Sequence, residues 1–175
     1  MAKILFLGGP SGSGKSFFAS EYLTSRDWIH LEIDQYPKDG ITEYKLRAEW
    51  DDFYATHNPT SLHAELLRRA NRSAGIVLSF PGNLVFSPDH LQAAGNHFRI
   101  AYLYGNPVHC LRSFLQREGQ SGRRLSASHW DVNNRNVFGS LSCSIQHSFL
   151  INAFNPDGSR RDPEAIYEDI FPCSS

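Results

Sequence analysis

A three-layer α/β/α fold on a central parallel sheet of five strands is what this sequence predicts. Three observations carry it. The apolar runs are continuous rather than alternating, helix-start signals stand between them, and the first run opens into a glycine-rich loop. The runs are Ile4–Leu7, Trp28–Ile33, Ile76–Phe80, Ile100–Tyr104 and Phe149–Phe154. A strand with one wet face alternates apolar and polar residues, whereas a strand covered on both faces does not. The start signals are Asn58-Pro59, Ser87-Pro88, Asn106-Pro107 and Asp162-Pro163. Each sets a side-chain acceptor before a proline, which lacks the N–H that the first helical position would leave unpaired. Strands alternating with capped helices imply crossover connections and a parallel sheet.

Composition bounds the rest. The chain has 175 residues, 41% of them apolar and 20% charged. That supports one packed domain over residues 1–175 and argues against disorder. A formal charge of −1 gives no global pull toward nucleic acid or a membrane surface. Cys110, Cys143 and Cys173 contain no C-x-x-C pair, so reduced thiols in a cytoplasmic protein are expected. The apolar run after Met1-Ala2-Lys3 is too short for a leader or a membrane span. A monomer or homodimer is expected.

The strongest motif is Gly9-Pro10-Ser11-Gly12-Ser13-Gly14-Lys15-Ser16, which fits G-x-x-x-x-G-K-[ST] at every required position. Its glycines let the backbone curl so that several N–H groups among Gly9, Ser11, Gly12, Ser13, Gly14, Lys15 and Ser16 point at one phosphate. The helix that starts near Lys15 adds its positive N-terminal end. In this motif the lysine ammonium reaches the β and γ phosphates and the Ser16 hydroxyl is a Mg²⁺ ligand. A strand before the loop and a helix over Phe17–Leu23 supply the context the motif needs. Binding of a purine nucleoside triphosphate follows.

With that loop in place, the sequence resembles the P-loop small-molecule kinases of the shikimate kinase and gluconate kinase group, within the nucleoside monophosphate kinase-like branch of the P-loop NTPase fold. The likeness in layout covers nearly the whole chain, and only the phosphate loop is specific by itself. It implies substrate-covering helices at 41–73 and an arginine-bearing lid at 117–128. It also implies ATP and Mg²⁺ as cofactors and a small-molecule hydroxyl as the phosphoryl acceptor.

Glu32-Ile33-Asp34 stands where those kinases carry D-x-D. By that match Glu32 helps to hold Mg²⁺ through water, and Asp34 binds the acceptor and serves as its base. Period-two spacing independently puts both carboxylates on one face of a strand end, although a solvated pair remains an open reading. Leu78-Ser79-Phe80-Pro81-Gly82 has no Walker B aspartate. Gly82 matches a glycine of the group's substrate turn, and a plain strand-to-loop turn is the alternative. Asn106–Glu118 reads as a helix carrying Arg112 and Arg117, followed by Gly119-Gln120-Ser121-Gly122-Arg123-Arg124. Arg117 is the first candidate for a lid arginine that touches phosphate and stabilises its transfer, ahead of Arg123, Arg124 and Arg135. A solvated basic loop is the alternative.

Asn155-Pro156-Asp157-Gly158 falls where the group holds adenine, and an ordinary turn fits it equally well. Thr42–Tyr54 reads as a helix whose Tyr44, Leu46, Trp50 and Phe53 face the core. The scattered histidines, His129-Trp130-Asp131 included, lack metal-ligand spacing. Arg68-Arg69 and Arg160-Arg161 read as solvated faces. The leading function is therefore a small-molecule kinase. A nucleoside or nucleotide kinase and a nucleotide-binding switch with little turnover are the alternatives.

Overall fold

Apolar side chains on alternate sides of the strands build two cores, one on each face of a single sheet. The computed structural model describes residues 2–33, 44–80, 87–122, 126–132, 134 and 150–172. The strands are β1 (Lys3–Gly8), β2 (Trp28–Glu32), β3 (Gly75–Ser79), β4 (Arg99–Tyr104) and β5 (Leu150–Asn152). They form one parallel sheet in the order β2-β3-β1-β4-β5. The five strands and the three layers agree with the sequence reading.

Helix α1 starts as Lys15–Phe17, continues as a π-helix over Phe18–Leu23 and ends in a 3-10 turn at Thr24–Arg26. It is followed by α2 (Arg47–Thr56), α3 (Thr60–Arg69), α4 (Pro88–Gly95), α5 (Pro107–Gln120) and α6 (Pro163–Ile170). At three of the four expected starts, proline occupies the first turn. There the side chains of Ser87, Asn106 and Asp162 accept from the N–H groups of His90, Val108 and Glu164. The fourth start shifts by one residue. Pro59 becomes the cap, and Asn58 Oδ1 still accepts from the Thr60 N–H at 3.1 Å. Helix α2 starts later than its apolar pattern predicts, because Lys45 takes a left-handed φ of 54° that interrupts any helix running into Arg47.

One core joins Phe6, Ile76, Leu78 and Ile100 to α2, α3 and α4 through Trp50, Phe53, Leu62, Leu66 and Leu91. The other joins Leu5, Leu7, Val77 and Leu103 to α1, α5 and α6 through Phe18, Leu23, Phe114 and Ile166. Period-two alternation along β1 divides its side chains between them. Because β1 is central, the chain leaves it toward β2 on one side and leaves β3 toward β4 on the other. The carboxyl ends of β1 and β3 therefore flank the crevice where open parallel sheets bind ligands.

Asp34, Gly82, Arg123, Arg124, Arg135, Cys143, Cys173 and residues 41–43 lie outside the described residues. Cys110 is a buried free thiol. Among the described residues, no helix is long and apolar enough to cross a membrane.

Phe6 anchors the central strand. Its ring stacks on Phe98 at 4.3 Å and meets Phe80 edge-on at 5.3 Å. Phe6→Ala is expected to lower unfolding free energy by about 3–5 kcal/mol, the range for emptying a large aromatic site. Urea denaturation monitored by tryptophan fluorescence reads this directly.

Candidate functional site

The loop after β1 packs so closely on its neighbours that side chains have no room at its turns. Gly12 has φ 86°, and a Cβ there would stand 2.0 Å from the Cys110 carbonyl oxygen in the first turn of α5. Gly14 caps α1 at φ 96°, with the Arg160 guanidinium where its Cβ would be. The Ser13 N–H closes a turn onto the Pro10 carbonyl at 3.2 Å. The loop thus delivers Lys15 and Ser16 at the start of α1, where first-turn amides have no intrahelical acceptor.

Lys15 Nζ donates to the loop carbonyls of Gly9 and Pro10 at 2.7 and 3.2 Å. Burial lowers its pKa to about 8, the positive charge of Arg117 adds to that, and Glu32 works in the opposite direction. Ser16 Oγ points at Glu32 Oε1 over a long 3.4 Å contact. These are hard oxygen donors on two adjoining elements. Among the described residues, no group of three or more His, Cys, Asp or Glu could hold a metal unaided. That donor set fits Mg²⁺, which keeps several waters and relies on one or two carboxylates plus the substrate's own phosphates.

Arg117, in the last turn of α5, donates through Nε and Nη2 to Glu118 Oε1 at 3.0 and 2.7 Å. Glu118 is 2% exposed, and its Oε2 has no hydrogen-bond partner. The expected helix through Glu118 extends to Gln120.

A cavity of about 730 Å³ brings Ser11, Gly12, Gly14, Lys15, Ser16, Glu32 and Arg117 together. Tyr44, Phe80 and Ile33 form an apolar part of its wall. A second cavity of about 790 Å³ has a more apolar lining that includes Phe18, Leu103, Ala153 and Ile166, together with Ser13 and Asn155. Gly14, Phe17 and Arg160 line both. Phe17 is 60% exposed, which is unusual for a large aromatic, and it stands at this junction.

Three contributors to the site carried no sequence signal. Trp130 Nε1 donates to the Ser11 carbonyl at 2.8 Å, and the Ser11 N–H donates to Asn134 Oδ1 at 2.7 Å. Both side chains are buried, and Asn134 Nδ2 donates back to the Trp130 carbonyl at 2.7 Å. The helical stretch at 127–132 thus clamps the loop from behind, which occupies the Ser11 main chain. Arg160 is more than a solvated arginine. Its Nη2 donates to the Gly12 carbonyl at 2.6 Å, and its guanidinium lies 4.5 Å from the centre of the Phe154 ring. Arg161 bonds the Asn152 carbonyl at 2.8 Å and Asp169 at 2.8 Å. The turn at Asn155 closes locally, with the Asn155 N–H on the Ser159 carbonyl at 2.8 Å.

No family model matches the chain, and no curated protein matches it by sequence. A solved shikimate kinase from Bacteroides thetaiotaomicron aligns over 96% of this chain and 94% of its own, with 14% identity and a TM-score of 0.51. The chain has a P-loop kinase fold. The assignment rests on that alignment together with the sheet order and the loop. A shikimate kinase from Acinetobacter baumannii in complex with shikimate aligns over 81% of this chain and 77% of its own, at 18% identity and a TM-score of 0.42. A deoxyadenosine kinase from M. mycoides with bound dATP aligns over 95% of each chain, at 14% identity and a TM-score of 0.42.

The lowered Lys15 pKa has a measurable consequence. Near pH 8 the lysine of this P-loop kinase fold is about half protonated, and an anionic polyphosphate beside it would raise its pKa again. Binding of such an anion at pH 8 is expected to take up about half a proton, falling toward zero at pH 6. Calorimetry in two buffers of different ionisation enthalpy measures it. Equal apparent enthalpies in both would mean that Lys15 is charged throughout.

Proposed function

We propose that this protein is an ATP-dependent kinase that transfers the γ-phosphoryl group to a hydroxyl of a small molecule, with Mg²⁺ as its metal. The observation that carries the reading is the pair of adjoining cavities. One is lined by Lys15, Arg117 and the phosphate loop, the other is more apolar, and they share Gly14, Phe17 and Arg160. That is the division a nucleoside triphosphate needs, with its charge on one side of the loop and its base on the other.

In this reading the loop amides and Lys15 grip the β and γ phosphates, and Arg117 offers its guanidinium to the moving group. Mg²⁺, when bound through Ser16 and Glu32, neutralises charge on the phosphate oxygens. Asp34, two residues beyond Glu32, takes the proton of the acceptor hydroxyl. The acceptor oxygen then forms its bond to the γ-phosphorus, the bond to the bridging oxygen breaks, and ADP leaves with that electron pair. Gly82 belongs to the acceptor side, and residues 117–128 serve as the lid that excludes water.

A nucleoside acceptor is the second reading. The apolar wall favours it, because Tyr44 and Phe80 face the cavity and Trp50 backs Phe80 at 5.5 Å with a 30° tilt. Such a wall suits a flat ring better than a polyol. Competition by nucleosides against cyclic polyols for the Mg·ADP-loaded protein separates the two.

Lys15→Ala is expected to weaken ATP binding sharply by calorimetry, and wild-type affinity in this variant would remove the site. Asp34→Asn should leave nucleotide affinity near wild type while single-turnover transfer falls by roughly two to four orders of magnitude. A change confined to KM would make Asp34 a binding residue only.

A further inference from the structure

We propose that Ser79, oriented by His30, stands in for the missing Walker B carboxylate and accepts from the waters of the nucleotide-bound Mg²⁺. This rests on the ATP·Mg²⁺ reading above and assigns two residues to it that the motifs do not include.

The geometry comes from strand alternation. Trp28 on β2 and Val77 on β3 belong to the core beneath α1, so His30, Glu32 and Ser79 face that same side. Glu32 and Ser79 are direct partners in the parallel register. Ser79 is 4% exposed, yet it lines the polar cavity together with Ser16 and Glu32. Its Oγ lies 2.8 Å from His30 Nε2. A hydroxyl at this depth within an apolar face is costly unless another group satisfies it, and the half-buried His30 does so.

The direction of that hydrogen bond follows from what the metal would need. A neutral imidazole keeps one ring nitrogen as an acceptor, and Nε2 is the one within reach of Ser79 Oγ. Water on a dication points its hydrogens outward and therefore seeks acceptors. Glu32 is one. Ser79 is a second only when its own proton is engaged elsewhere, and His30 Nε2 is in place to take it. An uncharged acceptor at this position also avoids a buried carboxylate directly opposite that of the exposed Glu32, which like-charge repulsion would disfavour. His30 is thus a positioning residue that acts through Ser79.

The test is calorimetry of ADP binding with Mg²⁺ and with EDTA. It compares wild type, Ser79→Ala, His30→Leu, His30→Gln and the double variant Ser79→Ala/His30→Leu. Affinity for ADP in EDTA is expected to stay unchanged throughout. The enhancement by Mg²⁺ should drop about tenfold in Ser79→Ala and in His30→Leu, the scale of losing an outer-sphere partner. His30→Gln should retain most of it, because its amide oxygen can still accept the Ser79 proton. The double variant should be no worse than Ser79→Ala, as expected of residues acting in series. Wild-type Mg²⁺ enhancement in Ser79→Ala, or additive losses in the double variant, would overturn the proposal. Equal losses with and without Mg²⁺ would do the same, because the pair would then only pack. A wild-type protein that binds no ADP either with Mg²⁺ or in EDTA would instead overturn the nucleotide site itself.

Discussion

A backbone-to-backbone approach holds this site together. At Gly12 the phosphate loop lies so close to the Cys110 carbonyl that no side chain fits between them. Three elements depend on that contact. The loop fixes where α1 begins, α1 fixes Lys15 and Ser16, and α5 carries Arg117 into the same cavity from the other side. Asn134 and Trp130 hold Ser11 from behind, and Arg160 holds the Gly12 carbonyl from above. The loop is thus tied at adjacent residues by parts of the chain far away in sequence. A loop ordered in advance loses little conformational freedom when an anion arrives.

Charge around the cavity follows the same plan. Among the described residues, Lys15, Arg117 and Arg160 supply three cations to the wall, against the carboxylates of Glu32 and Glu118. Glu118 is nearly inaccessible and is spent on Arg117, which leaves Glu32 as the carboxylate beside Ser16. The chain as a whole carries a formal charge of −1. Its attraction for phosphate is therefore local, produced by where a few side chains converge.

What could be read from the sequence divides along physical lines. Strands covered on both faces and proline-led helix starts are local signals, and they gave the sheet, the layers and most helix starts. The phosphate loop is a contiguous motif, so Gly9 to Ser16 were legible. Glu32, singled out by its two-residue spacing from Asp34, lines the cavity beside Ser16. Trp130, Asn134 and Arg160 were not legible, because each reaches the loop through a single tertiary hydrogen bond between residues more than a hundred positions apart. No spacing rule encodes such a contact. His30 belongs to no motif, and only the β2–β3 register brings it to Ser79.

The π-helical stretch in α1 changes which of its residues share a face. In a helix of 3.6 residues per turn, positions five apart point about 140° away from each other. With i→i+5 bonding they stack on one face instead. Phe18 and Leu23 are five apart and both buried, while Phe17 is turned outward. The wide turn thus absorbs one residue more than an α-helix of the same face would hold. The same helix therefore anchors the core through Phe18 and Leu23 while it keeps Phe17 at the junction of the two cavities.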